Sequence, residues 1–168
     1  MALNGTALTP PTNTSWNTLG SSTTAVASCS AITRSASANV TDHEVVITIN
    51  GPATFTASST TVVNFFAYGS IDGTNWSGTS GATNELVDGT DKAITFSANG
   101  NNGIYLGSVA LVATAAGTSV AYKSKILSIA AAFGGTVPAK YVIVAQNQAG
   151  AALAASGHSV AVQEMYYN

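Results

Sequence analysis

Two histidines (His43, His158), one cysteine (Cys29) and seven acids (Asp42, Glu44, Asp72, Glu85, Asp88, Asp91, Glu164) are the groups of this 168-residue chain best suited to proton transfer, nucleophilic attack or metal binding. Their spacing matches no catalytic pattern. There is no H-E-x-x-H pair, no G-x-S-x-G elbow and no G-K-[ST] phosphate loop. Each histidine stands at the start of a predicted strand, where a solvated ring is the expectation. A glycosidase needs two carboxyls held across a cleft. Asp88 and Asp91 in DGTDK are neighbours in sequence, but a turn with its polar face in water accounts for them. Cys29 has no second cysteine to pair with and reads as a small buried apolar side chain.

Hard cations take oxygen ligands from acidic loops. The stretch DGTNWSG from Asp72 departs from the calcium-loop pattern, because Thr74 and Trp76 occupy positions where Asp or Asn should supply oxygen. An irregular site around Asp88 and Asp91 is the metal reading that the spacing leaves open. Four Asn-x-Ser/Thr triplets, at Asn4, Asn13, Asn39 and Asn75, follow from a composition rich in Asn, Ser and Thr. No catalytic, cofactor or metal residue is assigned, and the chain is not expected to be an enzyme.

Apolar residues make up 46% of the chain and charged residues 7%, with a net charge of -2. A usual charged fraction is about 25%. Four lysines and Arg34 cannot supply the row of phosphate contacts that nucleic-acid affinity requires. A surface with so few charges repels its neighbours weakly and suits lasting contact with other subunits. No apolar run reaches the roughly 18 residues of a membrane span. The opening MALNGTALTPPTNTSW has neither the basic end nor the apolar core of a signal peptide, so the chain is expected to be made in a cytoplasm and kept as translated.

The elements that must hold these residues read as strands. Short β-branched and aromatic runs cover Ala25 to Ile32, Glu44 to Ile49, Thr61 to Tyr68, Ala93 to Ser97, Ile104 to Ala113, Ser119 to Lys125, Tyr141 to Gln146 and His158 to Tyr166. Val45, Ile47 and Ile49 share one face, and Val160, Val162 and Glu164 oppose Ala161, Gln163 and Met165. Turn pairs lie between the runs at Asn50-Gly51-Pro52, Asp72-Gly73, Asp88-Gly89, Asn99-Gly100 and Asn102-Gly103. In KILSIAAAFGGTVP the spacing of Ile126, Ile129, Ala130 and Phe133 predicts one short helix or a pair of turns, ended by Gly134. It is expected to lie across an open end of the sandwich.

Residues 1–24 show no period, and Pro10-Pro11 forces extension. The expectation is an all-β chain: a single-domain antiparallel β-sandwich over 25–168, jelly-roll or Ig-like, with one short helix and an extended N-terminal arm over 1–24. Leu3, Leu8, Trp16 and Leu19 would be the arm's partner-binding residues, and removing residues 1–20 would leave the sandwich folded. Phe65 to Gly78, FFAYGSIDGTNWSG, reads as a hairpin in which Asp72-Gly73 form a type I′ turn and Trp76 begins a return strand over Phe66 or Tyr68.

The stretch S-I-D-G-T-N-W (Ser70 to Trp76) resembles the strand-turn-Trp element of discoidin-like galactose-binding sandwiches and of small β-rich virion proteins of tailed bacteriophages. A second stretch, AAAFGGTVPAKYVIVAQNQAGAALAASG (Ala130 to Gly157), resembles only the phage group. The phage resemblance implies a non-enzymatic structural protein of the virion, assembled in the host cytoplasm. It would attach to the major capsid protein or to neighbouring virion subunits as a decoration or cement protein that stabilises the shell. A homotrimer with no cofactor, no nucleic acid and no membrane is expected. A tail or neck component is the alternative placement. The discoidin-like resemblance implies instead a carbohydrate-binding module using exposed aromatics such as Trp76 and Tyr68.

Overall fold

Along Val40–Asn50, His43, Val45, Ile47 and Ile49 are buried, while the residues between them are half-buried. Along Ser159–Tyr167, Val160, Val162 and Glu164 are buried and Ser159, Ala161 and Gln163 are exposed. A period of two with one dry face is what a strand covering a core requires. The computed structural model describes residues 3–36, 39–53, 61–76, 87–96, 103–112 and 119–167. The expected turns at Asn99-Gly100 and Asn102, the strand ends Ser97 and Ala113, and Glu85 lie outside the described residues.

In chain order the strands are β1 (Leu3–Ala7), β2 (Ala25–Ser28), β3 (Ile32–Thr33), β4 (Val40–Asn50), β5 (Val62–Ser70) and β6 (Lys92–Thr95). They continue with β7 (Ile104–Ala110), β8 (Ala121–Lys123), β9 (Leu127–Ser128), β10 (Lys140–Asn147) and β11 (Ser159–Tyr167). The first sheet runs β1-β11-β4-β8, with β9 also on β4; the second runs β6-β2-β10-β5-β7, with β3 also on β10. Every pairing is antiparallel. The protein is an all-β sandwich, and each predicted strand is present with shifted ends.

The core lies between the sheets. Val45, Ile47, Ile49, Val160 and Val162 face Val63, Phe65, Tyr141, Ile143 and Ala145. A second apolar cluster covers the other face of the second sheet: Val26, Tyr68, Val87, Ile94, Val142 and Val144, with Phe66, Trp76 and Phe96 packed against them. That is why YVIVA in β10 does not alternate, since both of its faces are dry.

The helix is one turn, α1 (Ile129–Ala132), capped by Ser128, whose hydroxyl accepts from Ala131 N–H. It touches β4 and β7 and so bridges the two sheets. Ile126 lies outside it and is 64% exposed, so the helical spacing holds from Ile129 onward only.

The N-terminal segment is not an extended arm. β1 pairs with β11 from Leu3↔Tyr167 to Ala7↔Gln163. A 3-10 turn at Thr14–Trp16 then carries Trp16 into the core with no exposed surface. The indole Nε1–H donates to Ala27 C=O at 2.9 Å, and its ring lies 6.1 Å from that of Phe65. Leu19 is also buried, and Leu8 packs against the same core. The apolar residues of 1–24 lack a period because they reach the core from irregular backbone.

The proposed hairpin after β5 is not found among the described residues. The partners of β5 there are β10 and β7, and Trp76 itself is not in a strand. Only Gly73 of the Asp72-Gly73 pair has positive φ (77°), whereas a type I′ turn needs it at both. The Asp72 carboxylate instead closes the turn, accepting from Thr74 N–H, Asn75 N–H and the Asn75 amide.

Deleting residues 1–20 should therefore prevent cooperative folding. Trp16→Ala should cost about 3–5 kcal/mol, read from urea denaturation; a truncated protein with an unchanged unfolding midpoint would contradict this packing.

Candidate functional site

The four residues predicted to hold a partner divide between core and surface. Trp16 and Leu19 are inside the chain's own core, Leu8 is half-buried against it, and only Leu3, 54% exposed, is open to solvent. What holds Trp16 in place is a carboxylate read from sequence as a turn residue. Asp91, just before β6, accepts from Thr14 N–H (2.6 Å) and Thr14 Oγ1–H (2.7 Å) on Oδ2, and from Ser15 N–H (2.9 Å) on Oδ1. Partial burial would raise its pKa, but the bonds from Ser15 and Thr14 outweigh it and hold the carboxyl below its ordinary range.

Asp88 accepts from Thr90 N–H and Oγ1–H and from Lys92 Nζ at 2.8 Å. Partial burial opposes these bonds, and their sum still lowers its pKa to about 2. The two carboxylates thus serve different protein donors rather than converging. Among the described residues no three His, Cys, Asp or Glu side chains are grouped as a metal site.

Both histidines are buried rather than solvated. His43 is the fourth residue of β4 and has no exposed surface. Its Nε2 lies 3.0 Å from Glu164 Oε2 on β11, and its Nδ1 lies 3.1 Å from Tyr141 Oη on β10. Glu164 Oε2 also accepts from Ser35 N–H at 2.9 Å. One assignment satisfies these atoms: ionised Glu164 accepts from Nε2–H, while Nδ1 accepts the Tyr141 proton.

Burial lowers the His43 pKa more than Glu164 raises it, so the ring is neutral at neutral pH. Burial also drives the Tyr141 phenol well above its ordinary range. Glu164 stays ionised, because the bonds from Ser35 and His43 outweigh its own desolvation. The network bolts the two sheets together, and its His43 and Tyr141 rings have no exposed surface. Alternation had placed Glu164 on the inward face of β11, but an inward acid needs a partner that a single sequence does not reveal.

His158 precedes β11. Its Nδ1 accepts from Asn50 N–H at 3.1 Å, so its Nε2–H donates to Ala154 C=O at 3.0 Å. Burial lowers its pKa, against the pull of Ala154. Cys29, also buried, has its thiol pKa pushed up to about 12 by desolvation. Its sulfur accepts from Ile143 N–H at 3.3 Å.

Trp76 is half-buried on the cluster containing Tyr68, its ring so close to Gly89 that a Cβ there would collide with it. Tyr68 is 3% exposed. The pair therefore does not form an open aromatic platform for a sugar.

Of the six large apolar side chains exposed among the described residues, Leu3, Ile126 and Tyr167 lie on or beside the first sheet, and Ile71, Tyr105 and Val112 lie elsewhere. On the outward face of the first sheet, Leu3 and Tyr167 stand opposite each other at the end of β1 and β11. Ile126 borders a shallow depression of about 200 Å3 lined by Ala7, Glu44, Val46, Ala161, Val162 and Gln163. The outward rows Leu3, Gly5, Ala7 and Ser159, Ala161, Gln163, Met165, Tyr167 carry no charge. This face is the best candidate for contact with another molecule. Among the described residues no helix is long and apolar enough to cross a membrane. Comparison with protein-family models, with curated proteins and with solved structures returns no match.

Two outcomes follow. Asp91→Ala should cost about 1–2 kcal/mol, as loss of a multiply bonded cap does, measured by chemical denaturation at pH 7. Because both histidine pKa values are lowered on folding, the unfolded chain binds more protons just below about pH 6.5. Stability should therefore be complete above that pH and fall from pH 7 to 5, before carboxylates titrate. His158→Gln should flatten part of that slope; a wild-type protein more stable at pH 5 than at pH 7 would refute the neutral assignment.

Proposed function

We propose that this chain is a non-enzymatic structural subunit of a tailed-phage virion that attaches to the capsid as a decoration or cement protein. The observation that carries the reading is the outward face of the first sheet, where the outward rows of β1 and β11 carry no charge. Such a face loses little favourable hydration on contact, and its sheet backbone is already rigid, so little ordering free energy opposes binding. The inward commitment of His43, His158 and Glu164 supports the same reading, because it leaves the groups best suited to proton transfer no route to a substrate.

With the N-terminal segment folded into the sandwich, the proposed attachment runs through this face and not through an arm. The two stretches that resemble virion proteins support a virion part without separating shell from tail, and the tail is the alternative location.

Ile126→Asp combined with Ala161→Asp changes two exposed positions beside the depression. The variant should keep the wild-type melting temperature yet fail to join particles of the phage that encodes it. Immunogold labelling of wild-type particles should mark regular positions on the shell. Labelling confined to the tail would move the subunit there, and particles without the protein would overturn the reading.

A further inference from the structure

The four outer edges of the two sheets are not alike. Strand edges invite pairing with other chains, and proteins usually block them with charge, bulges, proline or short length. β6 has four residues and begins with Lys92, which is bridged to Asp88. β7 carries a register shift against Phe65 and Phe66. On the far side of β4, β8 has three residues and includes Lys123, while β9 has two. β1, LNGTA, is five residues long but lacks the other devices: it carries no charge and no proline, and its register with β11 is unbroken.

The register also fixes which backbone groups β1 leaves open. Leu8 N–H donates to Val162 C=O at 2.9 Å, which makes that couple a hydrogen-bonded one. In an antiparallel ladder such couples alternate, so Thr6↔Glu164 and Asn4↔Tyr166 are bonded as well. The N–H and C=O groups of Leu3, Gly5 and Ala7 then point away from β11. Among the described residues no other strand pairs with β1.

We propose that this edge pairs with β1 of a second copy of the chain, antiparallel and two-fold symmetric about Gly5. Gly5 then exchanges both hydrogen bonds with its counterpart, and Leu3 does so with Ala7 of the other copy, using every outward group on both strands. The side chains fit the same symmetry. Each Leu3, exposed in the free chain, lies beside the partner copy's Ala7, at the rim of the depression that Ala7 shares with Val46, Ile126 and Ala161. No charged side chain on either β1 opposes its mate.

Pairing of this kind closes at two copies, in contrast to the trimer expected from sequence, and it joins two first sheets into one. It does not depend on attachment to a shell, because it is tested on the free protein.

Light scattering of the wild-type protein should give twice the chain mass. Leu3→Lys combined with Ala7→Lys, both at exposed positions, should abolish the dimer while leaving a cooperatively unfolding monomer with the wild-type circular dichroism spectrum. Hydrogen exchange supplies a readout that needs no variant. The amides of Gly5 and Ala7 should be protected at dimer concentrations and unprotected after dilution to monomer, while those of Thr6 and Leu8 stay protected in both. A wild-type protein that stays monomeric, a dimer that survives the double substitution, or Gly5 and Ala7 amides that exchange freely in the dimer would each overturn the proposal.

Discussion

The burial of β10 on both faces is the constraint that organises the molecule. Every residue from Tyr141 to Asn147 is buried, so each peptide group in that run needs a partner within the protein. β5 pairs along one side over the full length. On the other side β2 and β3 cover the two ends, and between them Cys29 closes the gap. Its N–H donates to Ile143 C=O while its sulfur accepts from Ile143 N–H. At the end of the strand the amide of Asn147 donates to Leu19 C=O and Ala151 C=O, and that of Gln146 donates to Thr23 C=O. The second apolar cluster exists for the same reason, since Val142 and Val144 need cover on the face turned away from the first sheet.

Polar groups serve this architecture more than they serve the surface. Tyr141, His43 and Glu164 join β10 to β4 and β11 across the apolar interior. A half-satisfied network there would leave a desolvated charge, a cost of several kcal/mol. The neutral ring with donors and acceptors matched on both sides avoids it. Asp91 does the equivalent work for the N-terminal segment, and Asp42 for α1, where its Oδ1 accepts from Ala130 N–H at 2.8 Å. A chain with few charges thus spends several of its carboxylates on backbone donors.

The eight predicted strands were legible because each carries a period of two or a β-branched run, and both are local signals, whereas β1 and β9 carry neither. Gly134 marked the end of α1 for the same reason. The N-terminal segment was misread because Trp16 enters the core from irregular backbone and is held by Asp91, far away in sequence. The histidines were misread because a ring's burial depends on partners such as Glu164 and Asn50 that lie on other strands. Asp72-Gly73 has the composition of a hairpin turn, but β5 already has neighbours on both sides, so no edge remained for a return strand. The candidate contact face was half visible: composition showed that charge is scarce, while only the sheet order sets the uncharged outward rows of β1 and β11 side by side.

β11 lies between β1 and β4, and it is the last of the strands to be synthesised. The register that sets Leu3 against Tyr167 spans nearly the whole chain, so the first sheet cannot zip up locally. During translation Val45, Ile47 and Ile49 must wait, greasy and with little electrostatic protection, for a lid that has not yet emerged. Such topologies fold slowly and risk clumping before completion. The vulnerable moment in this protein's life is its birth at the ribosome, when assistance from a chaperone would matter most.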